Sequence, residues 1–113
     1  MIQVVNKRFH KPTEYDQYIG RPSPLGNPYS HLDNSRRGTI KVATREEAIR
    51  LYDEWFEKQW TDYTEVAEAV DDLVDQYLAT SKMYLVCWCA PAACHGDIVK
   101  KSMEEIIANL RKT

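Results

Sequence analysis

At 113 residues the chain is long enough for one hydrophobic core and too short for two, so a single domain spanning 1–113 is expected. A formal net charge of −2 disfavours a general nucleic-acid binder, and no apolar run approaches the roughly 20 residues that cross a bilayer, so no membrane partner is expected. Three cysteines crowded into positions 87–94 suit reduced thiols or metal ligands better than a secreted disulfide framework, which points to the cytoplasm.

The charge is unevenly spread. Residues 1–45 hold eight Lys/Arg against three Asp/Glu, and residues 46–80 hold two against eleven. The acidic middle fits solvated helix faces. The basic first part, with Lys7, Arg8, Lys11, Arg21, Arg36 and Arg37, is suited to gather around an anion.

In chain order, Ile2 to Val5 reads as a short buried strand that would leave Asn6, Lys7 and Arg8 at its end. Phe9 to Arg37 reads as irregular, because Arg21-Pro-Ser-Pro-Leu-Gly-Asn-Pro-Tyr29 carries three prolines and a glycine in nine residues, a spacing that forbids a helix. Tyr18, Ile19, Leu25 and Tyr29 would anchor this segment as a shaped loop. Residues 39–42 read as a brief edge strand.

Thr44-Arg-Glu-Glu47 has the form of a capping box and should open a helix whose inner stripe is Ala48, Leu51, Tyr52, Trp55, Phe56 and Gln59, closing at Trp60. A second helix is expected from Asp62 to Ala79, with Tyr63, Val66, Ala67, Val70, Leu73, Val74, Tyr77 and Leu78 inward. Met83 to Cys89 alternates as a strand, with Tyr84, Val86 and Trp88 on one face and Leu85, Cys87 and Cys89 on the other. Pro91 suits the first turn of a final helix, whose inner face runs through Ile98, Val99, Ser102, Met103, Ile106, Ile107 and Leu110.

These elements predict a small α/β domain with a short, partly parallel sheet, three flanking helices and a long Pro/Gly loop. If the first and last strands pair in parallel, their carboxyl ends bring residues 6–8 beside the 89–97 turn, where such sheets bind ligands.

That turn carries the chemistry. Cys94, His95 and Asp97 are the candidate catalytic residues: a thiolate at a helix N-terminus, an imidazole base and an orienting carboxylate. Neighbouring helical residues diverge by about 100°, so His10 or His31 could equally supply the imidazole. Cys87, Cys89, Cys94 and His95 could hold zinc, but Cys-x-Cys along a strand spreads its sulfurs, and no metal site is assigned. Most features fit together if the site takes a small nucleotide-like or phosphorylated ligand. Free amides at the helix N-terminus with Asn6, Lys7, Arg8 and Arg21 would then meet phosphate, a Tyr or Trp would stack on a base, Asn27 would read a base edge, Gly26 and Gly96 would admit close approach, and Cys89 would line the pocket. A capping role for Asp97 competes with a ligand role. Cysteine- or zinc-dependent catalysis and a nucleic-acid or protein-interaction module are the alternatives. No cofactor is named by these residues.

The strings Val5-Asn-Lys-Arg8, Tyr18-Ile-Gly-Arg-Pro-Ser-Pro-Leu-Gly-Asn-Pro-Tyr29, Arg45-Glu-Glu-Ala-Ile49 and Cys87-Trp-Cys-Ala-Pro-Ala-Ala-Cys-His-Gly-Asp97 together resemble the domain-of-unknown-function family 4326 of bacteria and phages. The Cys94-His95 pair also looks like the Cys-His-Arg ending of family 488, with Gly96 where that family has Arg. The resemblance to family 4326 implies a compact α/β domain in which the Pro-Gly loop and the Cys-His turn share one pocket, in a host cytoplasm where the protein is phage-encoded. It brings no established reaction.

Overall fold

A computed structural model describes residues 1–21, 23–31, 39–88 and 94–112. The elements are β1 (Ile2–Asn6), β2 (Asp16–Tyr18), β3 (Tyr29–Ser30), β4 (Ile40–Lys41), α1 (Arg45–Asp62), α2 (Glu65–Thr80), β5 (Met83–Cys87) and α3 (His95–Arg111). β5 is the centre of a three-stranded parallel sheet ordered β1-β5-β2, with Ile2 opposite Met83, Asn6 opposite Cys87 and Tyr18 opposite Val86. The chain is thus the small α/β domain its periodicities predict, with a partly parallel sheet and three helices.

Parallel pairing of β1 with β5 needs a long crossover, and α1 and α2 lie within it. α3 packs on β1 and β5, and α1 and α2 pack on α3 and on each other. Met83, Leu85 and Cys87 lie on one face of β5 and join the core formed by Tyr52 and Phe56 of α1, Val66, Val70, Leu73 and Val74 of α2, and Val99, Met103 and Ile107 of α3. Each such apolar side chain contributes about 1.5–3 kcal/mol on full burial.

Several boundaries differ from the sequence expectation, each for a local reason. β2 lies inside the stretch expected to be irregular; Asp16-Gln17-Tyr18 has no apolar alternation, and β5 recruits it through Ile19 N–H donating to the Val86 carbonyl (3.0 Å). β4 falls within 39–42, yet it pairs in parallel with β3 in a separate sheet instead of edging the main one. α1 passes Trp60 and stops where Tyr63 turns left-handed (φ 47°), its N–H bonded to the Gln59 and Trp60 carbonyls. Thr64, not Asp62, then caps α2 by accepting from Val66 N–H. Tyr63, Leu78 and Leu110 are exposed, contrary to their stripe positions, because each lies at or just beyond a helix end. β5 ends at Cys87; Cys89 and Pro91 lie outside the described residues, and α3 opens at His95 with Cys94 as its N-cap.

Candidate functional site

The carboxyl ends of the three parallel strands place Asn6, Tyr18 and the Cys87-Trp88 step side by side. Lys7 N–H donates to the Cys87 carbonyl (2.7 Å), while the Asn6 side-chain amide donates to the Trp88 carbonyl (3.0 Å) and accepts from Arg8 N–H (2.9 Å). Asn6 thereby joins two strands and shapes the turn after β1, whose Phe9 and His10 N–H groups both return to the Asn6 carbonyl. This turn presents two cations. The Lys7 ammonium sits 5.0 Å from the Tyr18 ring centre and 5.6 Å from that of Trp88, and the Arg8 guanidinium sits 5.6 Å from that of Phe9. Trp88 Nε1–H donates to the Tyr18 hydroxyl (3.0 Å), which donates to the Arg21 carbonyl (2.8 Å), so ring edge and loop are joined. Phe9 is 74% exposed, Trp88 57% and Tyr18 36%. Surface aromatics interleaved with cations are suited to stacking on a planar anion.

The Cys-His turn is arranged otherwise. Cys94 is 3% exposed; its Sγ accepts from Gly96 N–H at 3.3 Å and lies 3.5 Å from Cys87 Sγ, with neither sulfur in a disulfide. Asp97 Oδ2 accepts from Cys94 N–H (3.3 Å), completing a capping box. The amides expected to await an anion at the start of α3 are thus engaged by the chain's own thiol and carboxylate, and Asp97 already supplies a negative charge to the helix dipole. Asp97 caps the helix and remains exposed.

His95 is 7% exposed and donates from Nε2 to the Ile19 carbonyl at 2.7 Å, with its ring edge-on to Tyr52 at 5.1 Å. Burial holds its pKa below the usual value; the Ile19 carbonyl opposes that shift, and the nearby positive charge of Arg21 reinforces it. Because the unfolded chain takes up this proton more readily, folding loses stability as pH falls below about 6.5. His95→Gln keeps a donor for Ile19 and cannot titrate, so its stability, followed by urea melts from neutral to mildly acid pH, should fall less steeply than that of wild type. Parallel slopes would remove His95 as the source. Cys94 and His95 therefore cap, pack and hold the frame in this structure, with neither side chain presented to solvent.

Gly96 serves close packing. A Cβ there would lie 2.9 Å from Val4 Cγ1, 3.1 Å from Ile19 Cδ1 and 3.2 Å from Cys94 Sγ, so the first turn of α3 lies directly on β1 and on the residue after β2. Gly96→Val should destabilise by about 2–3 kcal/mol in chemical denaturation; an unchanged midpoint would mean that the helix can back away.

The Pro/Gly loop has two kinds of residue. Asn27 is structural, its side chain donating to the Ala48 carbonyl (3.3 Å) and accepting from Tyr29 N–H (2.9 Å). Gly26 is packed on Arg21, since a Cβ would meet Arg21 Cα, Cγ and N at 2.9 Å. Arg21 itself differs: its Nη1 is buried with no hydrogen-bond partner among the described residues, and so is the hydroxyl of Ser23 two positions on. A buried guanidinium donor without an acceptor costs more than an ordinary lost hydrogen bond.

Asn6, Lys7 and Arg8 stand at the carboxyl edge, where the Tyr18 hydroxyl reaches the Arg21 backbone carbonyl; Cys94, His95, Gly96, Gly26 and Asn27 pack on or hydrogen-bond to neighbouring parts of the chain, and Cys89 lies outside the described residues. Phe9 and Tyr18 were not named for the site from the sequence, and Ser23 entered only as part of the 21–29 loop. Their only signal is position: Phe9 follows the basic pair at a strand end, and Tyr18 and Ser23 flank Gly20-Arg21. No group of three or more His, Cys, Asp or Glu among the described residues could hold a metal ion, and no helix among them is long and apolar enough to cross a membrane. A groove of about 280 Å³ between α1 and α3, lined by Phe56, Trp60, Ile98 and Lys101 among others, holds none of the expected site residues. The Trp60 indole N–H is the third buried donor without a partner among the described residues.

No curated protein matches the chain, and no solved structure does. The family model described as a domain of unknown function, DUF4326, matches residues 2–105, which include the Asn6–Arg8 turn, the Arg21 loop and the Cys-His turn. The chain therefore belongs to the DUF4326 family.

Proposed function

We propose that this protein binds a small nucleotide-like, phosphorylated ligand at the carboxyl edge of its parallel sheet. The phosphate would be met by Arg21 with Ser23, Lys7 and Arg8, the base would stack on Trp88 and Tyr18, and Asn6 would hold the turn that carries both cations. What carries the assignment is the Arg21 Nη1 donor, buried without a hydrogen-bond partner among the described residues. A phosphate oxygen, like that of a carboxylate, matches the guanidinium fork. The Tyr18 hydroxyl, bonded to both Trp88 Nε1 and the Arg21 carbonyl, supports treating the stacking rings and the Arg21 loop as one site. The function is binding; Cys94, buried against Cys87, is given no part in chemistry. We place the protein in the cytoplasm, that of the host where it is phage-encoded, because three cysteines crowded into positions 87–94 suit reduced thiols better than a secreted disulfide framework.

The test is calorimetric titration with AMP, adenosine and inorganic phosphate in parallel. AMP should bind more tightly than either fragment, and Trp88→Ala should weaken it by about tenfold or more, the effect of losing one stacked base. Equal binding of adenosine and AMP would remove the phosphate site, and an unaffected Trp88→Ala would remove the stack.

A further inference from the structure

We infer, building on the nucleotide reading above, that the nucleotide taken at this edge belongs to a single-stranded nucleic acid, bound through at least two successive bases. The geometry that points there is a pair of stacking stations on one turn: Lys7 over Tyr18 and Trp88, and Arg8 over Phe9. Lys7 and Arg8 are consecutive, their Cα atoms about 3.8 Å apart, and the turn is fixed by the Phe9 and His10 N–H bonds to the Asn6 carbonyl; in the strand reading the two stations serve neighbouring bases.

A mononucleotide has one base and can occupy one station. It would leave the ring of Phe9, 74% exposed beside Arg8, without a base to stack on. Sites for small molecules are concave and enclose most of the ligand, whereas Phe9 and Trp88 are exposed rings beside exposed cations. Open aromatic faces alternating with Lys and Arg are how single strands are held, because every base has a π-face and every link a phosphate. The charge distribution agrees: the acidic excess lies in residues 46–80, while residues 1–45, which carry Lys7, Arg8, Phe9, Tyr18 and Arg21, are net basic. A duplex, with its bases already stacked on each other, would offer these rings nothing.

The experiment compares AMP, the 5′-phosphorylated dinucleotide pApA, a short oligoadenylate and a hairpin duplex by calorimetry against the full chain. Binding of pApA should be roughly fivefold to a hundredfold tighter than that of AMP. Phe9→Ala, a surface change that leaves the core untouched, should abolish that gain, so that the variant binds pApA no tighter than AMP, and the duplex should bind more weakly than the single strand. If AMP binds and pApA binds no tighter, or if Phe9→Ala leaves the gain intact, the strand inference falls while the nucleotide reading stands. If neither AMP nor any strand binds, the nucleotide reading itself has failed.

Discussion

Replacing Tyr52 by alanine is expected to remove about 3–5 kcal/mol of folding stability, the range for truncating a buried aromatic ring. That is a large share of the roughly 5–15 kcal/mol by which domains are stable. Tyr52 is 0% exposed and stands where α1 meets the framework of the site. Its ring lies against Trp55 and Phe56 of its own helix and edge-on to His95, and its hydroxyl donates to the Leu25 carbonyl at 2.8 Å, so one side chain ties α1 to α3 and to the Pro/Gly loop. Burial, and secondarily the neighbouring Cys94, raises its pKa far above the usual range and keeps it a neutral donor. Tyr52→Phe isolates the hydroxyl: the ring stays, the Leu25 carbonyl loses its donor, and the cost should be about 1–2 kcal/mol. Equilibrium urea unfolding of the two variants separates ring from hydroxyl. A Tyr52→Ala protein with a near wild-type midpoint would mean that the loop and α3 do not depend on this contact.

Arg21→Met should have opposite effects on fold and function. In the unliganded protein the Nη1 donor is buried and unsatisfied among the described residues, so a methionine of similar length should leave stability unchanged or raise it by about 1 kcal/mol. Affinity for a nucleoside monophosphate should fall by about a hundredfold, because the same donor is the one a phosphate would satisfy and charge-assisted bonds of this kind are the strong ones. Binding residues that cost the apo fold something are a general expectation for sites kept for function. A variant that loses stability and ligand affinity together would show Arg21 to be a structural residue; one that loses neither would show it to be a bystander.

Much of the frame could be read from residue order. The 3.6-residue stripes of the three helices and the Thr44 cap follow from apolar periodicity and from side chains that bond to their own backbone, both of which are local; the parallel pairing of β1 with β5 entered only as a condition, since it joins residues far apart in the chain. β2 was hidden because Asp16-Gln17-Tyr18 has no apolar face; its strand character comes from β5 alone. The site was half legible. The strand ends and the basic turn were readable because topology fixes where parallel strands finish. The contacts of the Cys-His turn were not, since composition does not show that the Cys94 thiol meets Gly96 N–H at 3.3 Å or that both side chains are buried. Gly26 and Gly96 illustrate the same limit. Each permits close approach, but what approaches is Arg21 in one case and Val4 with Ile19 in the other. Arg21 drew notice as a charge. That its Nη1 donor is buried and unsatisfied is a property of the packed loop, visible only in three dimensions.

The measurement that bears most directly on the central claim is a crystal structure of the protein with AMP. The account predicts a phosphate oxygen about 2.7–2.9 Å from Arg21 Nη1, with the base against the Trp88 ring. An Arg21 guanidinium bonded to the protein's own acceptors, with the nucleotide bound elsewhere or absent, would contradict it.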